Sequence, residues 1–372
     1  PLVRKIMGNG LLSSQGEIHR RQRRLLLPLF DRRQLATFSS TMVKHSLSMR
    51  SGWNRGETRE IAEDMLDLSF DIMADILFGA RGEKADALRS VIDRAIHLTG
   101  RMGHARKFLA SKLHIYTNKE PDELKQQLDK LILGWMNFHS NDDASEPTLL
   151  PRLREAQSAA NDPELDCATQ TRDEAVTLLL AGHETTATAL AWTWYLLSQH
   201  IEAEQLFHSE LDKVLRGRMP TIQEVPRLKY TAAVFCEAMR LYPPVWLLAR
   251  RPVRDWQLGS FTIPAKSFLY ITPFSVHRDP RHFDQPEVFD PSRWISDKDS
   301  VSRHKFSYIP FGAAGRKCIG ENFAMIEGVL ILATIGQKWK LCLAKGQRVK
   351  MEPLMTLRAK YGMRMVVESR LS

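Results

Sequence analysis

The sequence predicts a mainly helical fold with small β-sheets confined to its last third. Three observations carry this. Apolar residues recur at helical spacing through the first two-thirds of the chain. A long apolar stretch, residues 175–197, follows a Thr171-x-x-Glu174 pattern and reads as one helix. Beyond Pro243 and Pro244 the pattern changes to short alternating runs rich in β-branched residues.

Each element follows in order. SSQGEIHRRQRRLLLPLF (13–30) starts on serine and runs to Pro28. RRQLATFSSTMVKHSLSMR (32–50) and EIAEDMLDLSFDIMADILFG (60–79) keep helical periodicity, the second stopping at Gly79. Two more helices are expected near 83–98 and 121–139, with a basic, mixed segment between them that reads as a mobile loop. Residues 140–165 carry turn formers around a short helix. The capping box at Thr171 and Glu174 opens a helix to about His200, roughly 28 residues and about 42 Å at 1.5 Å per residue. A second T-x-x-E, Thr221 to Glu224, precedes the helix carrying YTAAVFCEAMRLYPP, which the prolines end. VWLLARRPV, FTIPAKSFLYITPF and the tail MRMVVE read as short strands, and 319–336 returns to helix. The expected organisation is a single domain over 1–372, helix-rich to about 245, and strand-rich with a glycine-bounded cysteine loop from about 246.

Composition narrows the class. With 43% hydrophobic and 26% charged residues the chain is globular, neither disordered nor fibrous. A net charge of +10 favours anionic partners. No zinc-finger spacing or aromatic RNA-binding strand is present, so an acidic protein partner is expected rather than nucleic acid. The cysteines, Cys167, Cys236, Cys318 and Cys342, form no CxxC pair, which argues against a zinc site and a disulfide scaffold. A reducing compartment, the cytoplasm, is the expectation. His183 and Glu184 interrupt the apolar stretch 175–197 and make a buried helix the better reading than a membrane span.

The chemistry centres on FGAAGRKCIG, residues 311–320. A free cysteine is mostly protonated at neutral pH, and helix N-terminal amides and nearby cations stabilise the thiolate. Cys318 has both: Arg316 and Lys317 precede it and a helix follows. The small residues allow close approach of something large and flat, and the N–H groups of Ile319 and Gly320 can bond the sulfur. One thiolate without partner ligands suits a metal already held by four nitrogens, which is haem. The alternative is an inert thiol at a tight turn, and taken alone the loop favours that alternative.

The wider segment FGAAGRKCIGENFAMIE resembles the haem-binding signature of the cytochrome P450 family, FxxGxRxCxG followed by an alanine and a glutamate. Phe311, Arg316, Cys318, Gly320, Ala324 and Glu327 fall in register. One position departs: Ala314 stands where the signature has its first internal glycine, so an ordinary φ and a slightly reshaped turn are expected there. AGHETT (181–186) is similar to the family's distal-helix motif. Gly182 removes a side chain so that a ligand can approach the backbone. Glu184 and Thr185 place an acid and a hydroxyl in an apolar helix, the pair a proton relay needs; a kink with Thr185 bonded to a carbonyl is the alternative. EAMR (237–240) with PSRW (291–294) resembles the family's ExxR and PxR[FW] segments, which implies a structural ion-pair cluster of Glu237, Arg240 and Arg293. HRRQR (19–23) resembles the bacterial HxxxR. His19 and Arg23 share a helical face and are read as propionate ligands, joined by Arg250 and Arg316; a basic solvated face is the alternative. HRDP (277–280) is assigned a structural turn.

The resemblance runs from about Gly10 to the tail. It implies a cytochrome P450-like fold whose usual N-terminal segment is not in this sequence. It also implies haem b as cofactor, O₂ as co-substrate and external NAD(P)H. Electrons are expected from a separate ferredoxin- or flavodoxin-type reductase chain on a basic proximal face. The expected reaction is insertion of one oxygen atom into a small lipophilic substrate. Two other readings stand beside it: a haem protein without turnover, and a basic interaction scaffold that binds no haem.

Overall fold

The apolar periodicities resolve into helices close to their expected ends. The computed structural model describes residues 2–100, 120–138, 148–159, 166–295 and 304–370. The segment read as a mobile loop, 101–119, and most of the turn-rich stretch 140–165 lie outside the described residues. Helices form at Gly16–Leu26, Arg32–Gly52, Ile61–Phe78, Glu83–Gly100, Glu120–Phe138 and Leu149–Ala159. The long helix is Cys167–Gln199, 33 residues and therefore about 50 Å. Ile201–Leu215 is an additional helix that the sequence reading did not assign. Its buried Ala203, Phe207, Leu211 and Leu215 repeat every four residues, and this stripe is its signal.

The capping box expected to open the long helix is corrected, while the second T-x-x-E does precede its helix. The long helix starts at Cys167, and Thr171 Oγ1 donates back to the Cys167 carbonyl inside the helix at 2.8 Å. Glu174 instead accepts the Leu11 N–H at 2.9 Å from a distant segment. Thr221 Oγ1 donates to Glu224 Oε2, but this closes a turn ahead of a 3₁₀ stretch, Val225–Arg227. The helix Lys229–Leu241 is capped from outside. The Glu210 carboxylate accepts the N–H groups of Tyr230 (2.6 Å) and Thr231 (2.8 Å). A carboxylate at a helix N-terminus satisfies orphan donors and opposes the helix dipole.

The chain divides into two compact units: Pro1–Ser51, Leu66–Glu184 and Ile319–Leu330 in the first, and Gly52–Met65, Thr185–Cys318 and Ile331–Ser372 in the second. In the first the core is helix against helix, with Phe70, Leu77, Leu128 and Leu179 buried. Phe78 stacks on Trp135 at 4.8 Å. In the second, Trp194, Phe207 and Phe235 form a helical core, and Trp192 stacks on Tyr242 at 4.0 Å.

Among the described residues the strands all lie in the second unit, in small antiparallel sheets. Leu248–Arg250 pairs with Leu269–Ile271, Trp256–Leu258 with Phe261–Ile263, and Met351–Pro353 with Leu357–Ala359. A three-stranded sheet has the order Thr58–Glu60, Arg364–Ser369, Trp339–Leu343. Thr58–Glu60 carries no strand signal in sequence: it is three residues long and mostly charged. Its partner lies some three hundred residues away, and the Glu60 carboxylate accepts the Met363 N–H beside it. Among the described residues no helix is long and apolar enough to cross a membrane.

Candidate active site

A buried ion-pair cluster supports the cysteine loop. Arg240 Nε and Nη2 donate to the two Glu237 carboxylate oxygens, both at 2.8 Å, and neither side chain is exposed. The remaining Arg240 donors go to carbonyls: Nη1 to His277 (2.9 Å) and Pro286 (2.5 Å), Nη2 to Val288 (2.9 Å). Glu237 also accepts Arg293 Nε at 3.3 Å, Trp294 Nε1 at 2.9 Å and the Asp290 N–H at 2.9 Å. Such a pair persists because each charge is hydrogen-bonded as well as paired. The three residues expected to cluster are therefore together, and Trp294 joins them.

His277 carries this cluster to the loop. Its Nε2 accepts the Ile309 N–H at 2.8 Å, so Nδ1 bears the proton and faces the Arg240 carbonyl at 3.3 Å. Burial pushes its pKa down to about 3 and keeps it neutral. The sequence reading gave His277 only a turn role. The flanking HRDP motif was visible, but its reach to residue 309 is a tertiary fact. Tyr308 adds a second tie, its hydroxyl donating to the Cys236 carbonyl at 2.9 Å.

The loop itself closes on two left-handed residues, Gly312 (φ 70°) and Ala314 (φ 55°). This corrects the expectation for Ala314, which keeps the glycine conformation despite its Cβ. The Cys318 N–H returns to the Phe311 carbonyl at 2.8 Å and the Lys317 N–H to Ala314 at 3.0 Å, and those bonds hold the turn against the strain. Phe311 is half-buried, while Arg316, Lys317 and Cys318 are exposed. Ile319, Gly320 and Ala324 are half-buried, and the Ala324 N–H donates to the Gly320 carbonyl at 2.9 Å as the helix Glu321–Gly336 begins.

The distal motif is partly rearranged relative to expectation. Glu184 and His183 are buried; the His183 ring meets Phe70 edge-on at 5.6 Å, with Nδ1 2.8 Å from the Leu179 carbonyl. Gly182 does not leave open backbone. A Cβ there would stand 2.8 Å from Met73 Cε, so the missing side chain makes room for packing. The exposed residue of this turn is Ala181, and Thr185, four residues on, is half-buried. Which residue of the turn faces outward is set by the neighbours that pack the helix.

His19 is buried and Arg23 half-buried on the helix Gly16–Leu26, with Arg24 exposed. Arg20 pairs with Glu17 at 2.5 Å. In the second unit Arg250 is exposed at the end of its strand, its Nη1 bonded to the Ala249 carbonyl at 2.9 Å.

The donor set fits a haem. Among the described residues no group of three or more His, Cys, Asp or Glu side chains could hold a metal ion. Cys318 is an exposed thiol just before a helix N-terminus, flanked by Arg316 and Lys317. A single thiolate so placed suits an iron that brings four ring nitrogens with it. A mainly helical chain that presents such a loop over a buried Glu–Arg cluster defines the haem-thiolate class.

Comparison places it within that class. The family model described as Cytochrome P450 matches residues 2–364. Cyclooctatin synthase of Streptomyces melanosporofaciens is 36% identical over 99% of this chain and 80% of its own length. Cyclooctat-9-en-7-ol 5-monooxygenase of the same organism is 33% identical over 91% and 74%. Pentalenene oxygenase of Streptomyces avermitilis is 29% identical over 95% and 79%. The crystal structure of the cytochrome P450DA heme domain superposes with a TM-score of 0.85 at 25% identity, covering 100% of this chain and 82% of that one. The chain belongs to the cytochrome P450 family, and it is a haem-thiolate monooxygenase that uses haem and O₂.

Proposed function

We propose that this monooxygenase oxygenates an apolar, unsaturated cyclic hydrocarbon or its mono-alcohol. Electrons come from NAD(P)H through a separate ferredoxin- or flavodoxin-type chain. The substrate class rests on the printed names of two relatives, which specify an alkenol and an alkene as what they act on. The observation that carries the chemistry is the exposed Cys318, held by a loop whose base is tied through His277 to the buried Glu237–Arg240 pair.

In this reading Cys318 ligates the iron, and Phe311, Ile319, Gly320 and Ala324 shape the loop around the ring. His19, Arg23, Arg250 and Arg316 bind the propionates. Bound haem would supply the activation of O₂, of which one atom goes to the substrate and the other leaves as water with two electrons and two protons. Thr185 orders water at the distal helix and Glu184 hands protons to it. Ala181 takes the place of Gly182 as the small residue that lets a flat group approach the helix. The exposed Arg24, Arg32 and Arg33 suit an acidic electron-transfer protein, as does the net charge of +10.

The test uses the chain reconstituted with haem. One iron per chain and a carbon-monoxide difference band of thiolate ligation are expected, both lost in Cys318→Ala. With a ferredoxin, its reductase and NADPH, a cyclic alkene should gain one oxygen atom. Thiolate-ligated haem with no oxygenated product across a panel of cyclic alkenes and alkenols would overturn the substrate reading.

A further inference from the structure

The segment Gly8–Ser14, just before the His19 helix, is clamped to the start of the long helix by two adjacent carboxylates. Asp173 Oδ2 accepts the Asn9 N–H at 2.6 Å, and Glu174 Oε2 accepts the Leu11 N–H at 2.9 Å. Glu174 is fully buried, and its other oxygen takes Gln170 Nε2 at 3.0 Å. There is no slack in the clamp. A Cβ on Gly8 would lie 2.0 Å from Asp173 Oδ1, and one on Gly10 would lie 2.2 Å from Thr177 Oγ1. The clamped segment in turn positions the next helix: the Asn9 carbonyl accepts Gln22 Nε2 at 2.7 Å, and Ser14 Oγ donates to Gln22 Oε1 at 2.5 Å.

We infer that Glu174 and the Leu11 N–H form a pH-responsive clasp, which loosens the Gly8–Ser14 segment as Glu174 ionises. The charge balance around it supports this. Asp173, the neighbouring like charge, faces it on its own helix. Arg172 is bonded to Asp129 at 2.5 Å and Asp173 at 3.0 Å, not to Glu174. Lys125 is likewise held by Asp129 at 2.6 Å. On the helix Leu2–Met7, Arg4 is exposed and bonds Asn9 Oδ1 at 3.1 Å. On the helix Gly16–Leu26, His19 is the buried titratable side chain. The ionised Glu174 is thus buried beside another carboxylate, with hydrogen bonds but, among the described residues, no cation bonded to it. Burial and Asp173 raise its pKa from 4.5 to about 7, against the lowering effect of Leu11 and Gln170.

The sign follows from linkage. A carboxyl whose pKa is higher in the closed state stabilises that state fully below the open-state value and loses this as pH rises through the closed-state value. Opening therefore becomes easier between pH 4.5 and 7, and levels off above. Hydrogen exchange of the whole chain, corrected for intrinsic rates, tests this. Protection of the peptide containing Asn9 and Leu11 should fall by up to about tenfold per pH unit from 5 to 7 and then flatten. Glu174→Gln, which keeps an acceptor oxygen without the charge, should remove the dependence. Asp173→Asn should shift the plateau to lower pH by taking away the like charge. A pH-independent exchange in the parent chain overturns the clasp. So does a slope matched by the strand Arg364–Ser369, which would mean that only global unfolding opens the segment. The outcome does not depend on haem content, so it stands or falls apart from the proposed function.

Discussion

His277 accepts the Ile309 N–H at 2.8 Å through Nε2, and this bond joins the cysteine loop to the helix of Arg240. A neutral ring is required, because Nε2 must be unprotonated to accept. Burial holds the pKa near 3 against an ordinary 6.5. The unfolded chain therefore takes up a proton below 6.5 that the folded chain refuses. Stability is unaffected above that pH and falls by about 1.4 kcal/mol per unit as pH drops from 6.5 towards 3. His208, pushed down to about 4 mainly by burial, adds to the loss with the same sign. Glu174, raised to about 7, works in the opposite sense between pH 7 and 4.5, so the fall is read in urea unfolding at pH 6.5, 5.5 and 4.5 as the difference between the parent chain and His277→Gln.

The ion-pair cluster predicts a graded series. Removing either partner of the fully buried Glu237–Arg240 pair strands a charge, at a cost of about 3–5 kcal/mol. Arg240→Lys should behave almost as badly, because one ammonium cannot serve two carboxylate oxygens and three carbonyls in these directions. Arg293 sits at the edge, 3.3 Å from Glu237 and 12% exposed, so Arg293→Ala should cost about 2 kcal/mol, less than breaking the buried pair. Chemical denaturation of the series checks the order, and equal losses at all three positions would refute it.

Among the non-glycine residues at positive φ are Ala314 at 55°, where the family signature has glycine, and Lys266 at 66°. Each Cβ costs conformational energy, while glycine adopts the angle freely but gives the unfolded chain more freedom. Strain should outweigh entropy, so Ala314→Gly and Lys266→Gly should each stabilise by about 0.5–1 kcal/mol. Melting temperatures check this, and a lowered value in both would mean that the turns carry no strain.

Glu210 caps a helix from a different helix, accepting two backbone N–H groups and, at 2.8 Å, the Thr231 hydroxyl. Glu210→Ala leaves partly buried donors without an acceptor and should cost about 2 kcal/mol. Glu210→Gln keeps an acceptor oxygen and should lose about half of that, as read by urea midpoints.

Periodicity and motif spacing were enough to read the helical class, the strand-rich end and the residues around Cys318. These signals are local. Helical repeats show which face is apolar, and motif residues stand within a few positions of one another, as Glu237 and Arg240 do. What sequence could not supply was the identity of distant partners. Glu174 looked like a cap for its own helix and turned out to hold Leu11, while the helix at Lys229 took its cap from Glu210. Thr58–Glu60 is a strand only because Arg364–Ser369 lies beside it. Ala314 was expected to relax and is held left-handed by hydrogen bonds on either side. In each case an unsatisfied backbone or charged group had several possible partners along the chain, and only packing in three dimensions selected one.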